Sequence, residues 1–232
     1  MTLPSRPPLR WTMRRGLFYD DGERWQAEAL SAVAAAPAAG GRLLLAEFHP
    51  VVTAGRGARA EHLLASPLEL ERAGVAFRRV ARGGGVTGHG PGQWTVYPVA
   101  PLRRLDGGSV RGYLRRLEGA VITFLARYGV TCTRREGLSG VWAGRKKLAA
   151  VGIAVSRWTT WHGIAVNIEP ESTSWTRWVI PCGLDSDVGG VGSLSEIAGR
   201  RVGLDECAGA LAEDVARALD MDLIKEPTQN NV

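Results

Sequence analysis

Thiols, primary amines and imidazoles are the side chains here that could carry covalent chemistry near neutral pH. Of the three cysteines, Cys182 stands in Ile180-Pro181-Cys182-Gly183-Leu184, where Pro and Gly hold the chain irregular and leave room around the sulfur. A thiolate there would be a nucleophile able to form a covalent intermediate. Cys132, in a strand-like run, and Cys207, on a helical pattern, read as small apolar side chains that pack. An odd cysteine count without paired spacing excludes a disulfide framework, and the candidate ligands lack any zinc spacing, so no metal is expected.

A partner for such a thiol could come from Gly144-Arg145-Lys146-Lys147-Leu148-Ala149-Ala150-Val151-Gly152, which sets basic residues at the start of an apolar strand. A lysine drawn inside would have a lowered pKa and could accept a proton, whereas a solvated turn would leave three exposed cations. Spacing alone leaves both open. Arg82-Gly83-Gly84-Gly85-Val86-Thr87-Gly88-His89-Gly90-Pro91-Gly92-Gln93 is too rich in glycine for the interior of a helix or strand. It reads as a loop that lets main-chain N–H groups approach a ligand, with Arg82, Thr87, His89 and Gln93 as added donors. It lacks the GK[ST] of a phosphate loop, and it leads into a strand instead of a helix. His162, ahead of Gly163-Ile164-Ala165-Val166, could orient a ligand or satisfy a carbonyl.

These segments need a scaffold. Glu23 to Ala35 reads as a helix stopped by Pro37, Arg42 to Phe48 as a buried strand, Leu63 to Ala73 as a short helix and Val75 to Val80 as a strand. Trp94 to Val99 is a further strand, and apolar residues from Val110 to Tyr128 recur at helical spacing. Three strand-like runs follow, at 140–142, 148–156 and 161–168, separated by turns that suit antiparallel neighbours. A last helix spans roughly Leu204 to Leu219. The expectation is one catalytic domain over residues 1–232, an α/β fold with a mixed sheet and flanking helices, and flexible ends at 1–16 and 226–232.

An apolar share of 45% is ordinary for a packed α/β protein. The first eighteen residues lack the continuous apolar run of a signal peptide or membrane span, so a cytoplasmic protein with no membrane partner is expected. The net charge of +6 favours acidic partners without distinguishing nucleic acid from protein.

In order along the chain stand His49-Pro50 with Thr53-Ala54-Gly55, the Arg82 to Gln93 loop, Gly140-Val141-Trp142 through Lys147 and Gly152 to His162-Gly163, and Pro181-Cys182-Gly183. As a set they resemble the lipoyl(octanoyl) transferase family of lipoate biosynthesis, over most of the chain. The resemblance implies the fold shared with biotin and lipoate protein ligases, a class II synthetase-related architecture. It implies a dyad of Cys182 and Lys147, Lys147 being preferred over Lys146 by the register of the following residues. It places substrate against Arg82, Gly83, Gly84, Gly85, Val86, Thr87, Gly88, His89, Gly90, Ala149, Ala150, Val151, Gly152, His162, Gly163, Ile164 and Ala165. The implied reaction moves an octanoyl group from acyl carrier protein, through a Cys182 thioester, to a lysine of a lipoyl domain or of glycine cleavage H protein. It needs no cofactor, ATP or nucleic acid and implies a monomer.

This chain departs from the family at Gly85, commonly polar, at Gly88, commonly aromatic, and at Gly192, commonly Thr. The residue missing at Gly88 is expected to cost one wall of the acyl pocket, with a nearby Trp in its place. Two rivals are weaker. An ATP-dependent ligase of the same fold would not need Cys182, and a nucleic-acid-binding protein would rest only on the charge and on arginines near Met13 to Arg15 and Arg111 to Arg116.

Overall fold

The computed structural model describes residues 6–180 and 189–226. In chain order its elements are β1 (Pro8–Leu17), α1 (Tyr19–Ala35), β2 (Gly41–Phe48), β3 (Val51–Ala54), α2 (Pro67–Arg72), β4 (Ala76–Arg79), β5 (Val86–His89), β6 (Gln93–Val99), α3 (Val110–Ala126), β7 (Thr133–Arg135), β8 (Leu138–Ala143), β9 (Lys146–Ser156), β10 (Thr159–Asn167), α4 (Leu194–Ala198), α5 (Leu204–Ala218) and β11 (Asp222–Lys225). A run of 3-10 turns covers Pro170–Trp178.

Alternation along β2 organises the layers. Leu43 and Leu45 enter one apolar core, with α3 and α5, while Leu44 and Ala46 enter another, with Trp25, Ala29 and Val33 of α1. Period-two alternation sends successive side chains to opposite faces of a sheet. The sheet so covered has eight strands in the order β11-β1-β2-β6-β10-β9-β8-β7. β1 runs parallel to β2 and β11, and the remaining neighbours pair antiparallel, as the turns predict for β8, β9 and β10. On the α1 side a small sheet, β4-β3-β5, sits beside the helix.

Three expectations are corrected. Of the end expected to be flexible at 1–16, residues 1–5 lie outside the described chain, and Pro8–Leu17 is a sheet strand paired on both edges, because its alternating Leu9, Trp11 and Met13 join the larger core. At the other end Glu226 donates its N–H to the carbonyl of Trp11 at 2.9 Å, and residues 227–232 lie outside the described chain. The glycine-rich segment is not wholly a loop, since Val86–His89 pairs antiparallel with Val51–Ala54. Strand pairing uses main-chain groups that glycine also carries, and Val86 and His89 supply buried side chains.

Helix starts also differ from pattern. The first helix begins at Tyr19, four residues early, with Asp20 and Asp21 in its positive first turn. The second begins only at Pro67, after Ser66 and Glu69 form a reciprocal capping box.

Candidate active site

A cleft of about 50 Å³ opens between the Arg82–Gly88 segment and β9. β5 is the edge strand of its small sheet, so its unshared edge borders this space. Arg82, Gly84, Gly85, Val86, Thr87 and Gly88 form one wall and Lys147, Ala149, Ala150 and Val151 the opposite one, with Ala165 beside them. Adjoining it is a chamber of about 20 Å³ reached by His89, Gly152, His162 and Gly163.

Lys147 settles the choice left open by spacing: its side chain is inside, with the residue only 4% exposed, while Lys146 is exposed. Its Nζ lies 5.2 Å from the centre of the Trp142 ring, within reach of a cation–π contact. Gly140 makes that path possible, because a Cβ there would stand 2.8 Å from Lys147 Cε and 2.2 Å from the carbonyl of Ala149. The backbone of Lys147 holds the returning chain, its N–H donating to Gly190 and its carbonyl accepting from Gly192.

Cys182 lies in 181–188, outside the described residues. The chain on both sides of it is held at the cleft. Val179 and Val191 both line the cavity. Val179 bridges Leu63, Ile180 donates to the His62 carbonyl at 2.8 Å, and Val191 bridges Lys147. The other two thiols are poor nucleophiles, since burial raises Cys132 to about 11 and Cys207 to about 12.

A line of hydrogen bonds joins the two walls. Arg82 Nη2 donates to Thr53 Oγ1 at 2.7 Å, and Thr53 Oγ1 lies 3.1 Å from His89 Nε2. His89 Nδ1 meets Gln93 Oε1 at 2.7 Å, Gln93 Nε2 donates to Asn167 Oδ1 at 2.9 Å, and Asn167 Nδ2 donates to the Gly192 carbonyl at 3.1 Å. Since the Gln93 amide nitrogen already donates to Asn167, its oxygen accepts a hydrogen bond from His89 Nδ1–H, which leaves Nε2 to accept from Thr53. His89 is therefore neutral: burial and the neighbouring Arg82 push it down to about 4, against a smaller opposing effect of Gln93. His162 is held lower, about 3, by burial and then by Arg82, His89 and Arg56.

Not every expected residue faces the cavity. Ile164 points into the main core with α3 and α5, on the opposite face from Ala165. Gly90 lies under the indole of Trp175, where a Cβ would come within 2.3 Å of the ring. Gly83 has its N–H committed to the Ile153 carbonyl at 2.8 Å and does not line the cleft, whereas Gly84 and Gly85 do. At Gly88 a Cβ would stand 2.4 Å from the Trp175 carbonyl. Strand alternation aims that position away from Thr87 and His89, so the missing aromatic group removes no wall of the adjoining chamber. Trp175 packs over the outer side instead.

Pattern reading missed Tyr19, Ser139, Tyr97, Thr95, Asn167, Val179 and Val191. Asn167 and Tyr97 had a usable signal, a polar group and a hydroxyl in otherwise apolar strands. Tyr19 and Ser139 carried none.

The Lipoyl protein ligase A/B catalytic domain family matches residues 24–216. This chain belongs to that family. Among its relatives, the octanoyltransferase of Solibacter usitatus is 41% identical over 199 residues, covering 85% of this chain and 87% of that protein. The octanoyltransferase of Chloroflexus aggregans is 39% identical over 185 residues, covering 78% and 82%. Within the family the chain therefore groups with the octanoyltransferases, which are acyltransferases. A solved putative lipoate protein ligase from T. acidophilum with bound lipoic acid superposes with a TM-score of 0.72 at 17% identity, covering 97% of this chain and 90% of that one. Lipoate-protein ligase A bound with ATP gives 0.71 at 16%, covering 97% and 90%. Both establish the α/β fold with its mixed sheet. Among the described residues no helix is long and apolar enough to cross a membrane.

Proposed function

We propose that this octanoyltransferase works through a Cys182 thioester, taking an octanoyl group from acyl carrier protein and giving it to a lysine of a lipoyl domain or of glycine cleavage H protein. The observation that carries the reading is the buried Lys147 at a cleft where both flanks of Pro181-Cys182-Gly183 are held. An enclosed ammonium stabilises a nearby thiolate, and an enclosed amine accepts a proton; the two groups titrate as a pair.

In the first half, Sγ of Cys182 attacks the donor's thioester carbonyl, its proton passing to Lys147. The carbon–sulfur bond to the pantetheine arm breaks, and Lys147 returns the proton to the departing thiolate. In the second half the acceptor amine attacks octanoyl-Cys182 while Lys147 takes a proton from it; an amide forms and Cys182 leaves as thiolate. Backbone N–H groups of Gly84 and Gly85 are the candidates to hold the oxyanion. The donor is already a thioester, so neither ATP nor a metal enters either step, and the reaction runs in the cytoplasm with the enzyme as a monomer. Exposed Arg56 and Lys146 near the cleft suit acidic protein partners.

The test is intact-mass measurement after mixing the protein with octanoyl-carrier protein and no ATP. Wild type gains one octanoyl group and Cys182→Ala gains none. An adduct missing from wild type, or surviving in Cys182→Ala, overturns the mechanism.

A further inference from the structure

Arg82, Thr87, Ala150, Val151 and Ala165 line both the cleft and the chamber, so the two spaces adjoin. Among the residues that line the chamber, glycines aside, His162 is the least exposed, at 1%. The imidazole contacts the rings of Trp161 and Tyr97, with centroids 4.3 and 6.3 Å away. Its backbone N–H donates to Gln26 Oε1 at 3.0 Å, and its φ is +56°. The positive φ and the Gln26 hydrogen bond fix the backbone from which the ring projects, and the neighbouring Trp161 and Tyr97 rings limit its rotation. Among the described residues Nε2 of His162 is buried with no hydrogen-bond partner, and the side chain borders the chamber.

We propose that His162 determines which acyl chain the enzyme accepts. This rests on the acyl-transfer reading above. The chain enters by the cleft, passes between Arg82 and Ala150, and ends short of the imidazole. The chamber, about 20 Å³ in all, has room for one water beside Nε2 and not for further methylenes. A longer chain meets two penalties: the ring blocks it, and expelling the water leaves a buried nitrogen unpaired. Medium length is then set by a polar end wall instead of by the apolar channel.

The test compares wild type, His162→Gly and His162→Asn, both replacements being at ease with a positive φ. Loading is followed by intact mass with hexanoyl-, octanoyl-, decanoyl- and dodecanoyl-carrier protein. In parallel, calorimetry measures the free fatty acids of the same lengths on Cys182→Ala protein with and without each His162 replacement. Thermal unfolding confirms that every variant is folded. The decanoyl-to-octanoyl ratio should rise roughly tenfold or more in His162→Gly, the scale of one added methylene in a pocket, and less in His162→Asn. Unchanged ratios in both folded variants overturn the proposal. If no donor acylates wild type the transfer mechanism fails, and the binding series, which needs no transfer, still decides whether His162 is the stop.

Discussion

The two faces of the eight-stranded sheet have been built to different rules. On one, Leu211, Val215, Phe124 and Leu117 of two amphipathic helices meet Leu43, Leu45, Val96 and Ile164, and the two described cysteines are absorbed as apolar filling. On the other, α1 covers part of the sheet, the three-stranded sheet covers another part, and the gap between strands β5 and β9 holds a buried lysine, a buried arginine and two neutral histidines. Close packing leaves no space for chemistry. A cleft appears only where two covering elements do not meet, and ionic groups survive there because each has specific partners.

That difference can be broken from either side. The largest effect is expected from Lys147→Met, which keeps bulk and removes the amine: transfer of octanoyl to a lipoyl domain, followed by mass spectrometry, should fall about 10²–10⁴-fold. Its thermal midpoint should hold or rise, since a buried cation is removed. A midpoint collapse with normal specific activity would show Lys147 to be structural. Phe124→Ala, on the opposite face, should invert the pattern. Urea unfolding should report a loss of about 3–5 kcal/mol, with activity retained while the protein stays folded.

The smallest effect is in pH dependence. His89 and His162 have folded pKa values of about 4 and about 3, below the free value of 6.5. The unfolded chain therefore binds more protons between those limits, and stability is complete above pH 6.5 and falls as pH drops toward 4. Each histidine should contribute a slope of about 1.4 kcal/mol per pH unit at most. Urea unfolding from pH 6.5 to 4.5 should show a shallower decline in His89→Gln than in wild type; an unchanged slope would mean that His89 is protonated in the fold.

Much of the architecture was legible because it rests on local pattern. Helical spacing from Val110 onward, the strand-like apolar runs now seen as β2, β6, β9 and β10, and Gly or polar turns between antiparallel neighbours all report on contacts close in sequence. Pattern failed where pairing was distant. Pro8–Leu17 becomes a strand only because Gly41–Phe48 and Asp222–Lys225 flank it, and Val86–His89 only because Val51–Ala54 lies alongside.

The candidate site divides the same way. Arg82 and His89 were legible as donors on a glycine-rich segment and His162 as an imidazole ahead of a strand pattern, while the choice of Lys147 over Lys146 came from the register that the family resemblance implies. Cys182 was named by its neighbours Pro181 and Gly183, and lies outside the described residues. Only the tertiary structure could turn Lys147 inward and Lys146 outward, send Ile164 to the core, set Trp175 against Gly88 and Gly90, and thread Thr53, Gln93 and Asn167 into one hydrogen-bonded line. Those outcomes depend on which strand lies beside which, and that is fixed by packing between segments tens of residues apart, which no local spacing records.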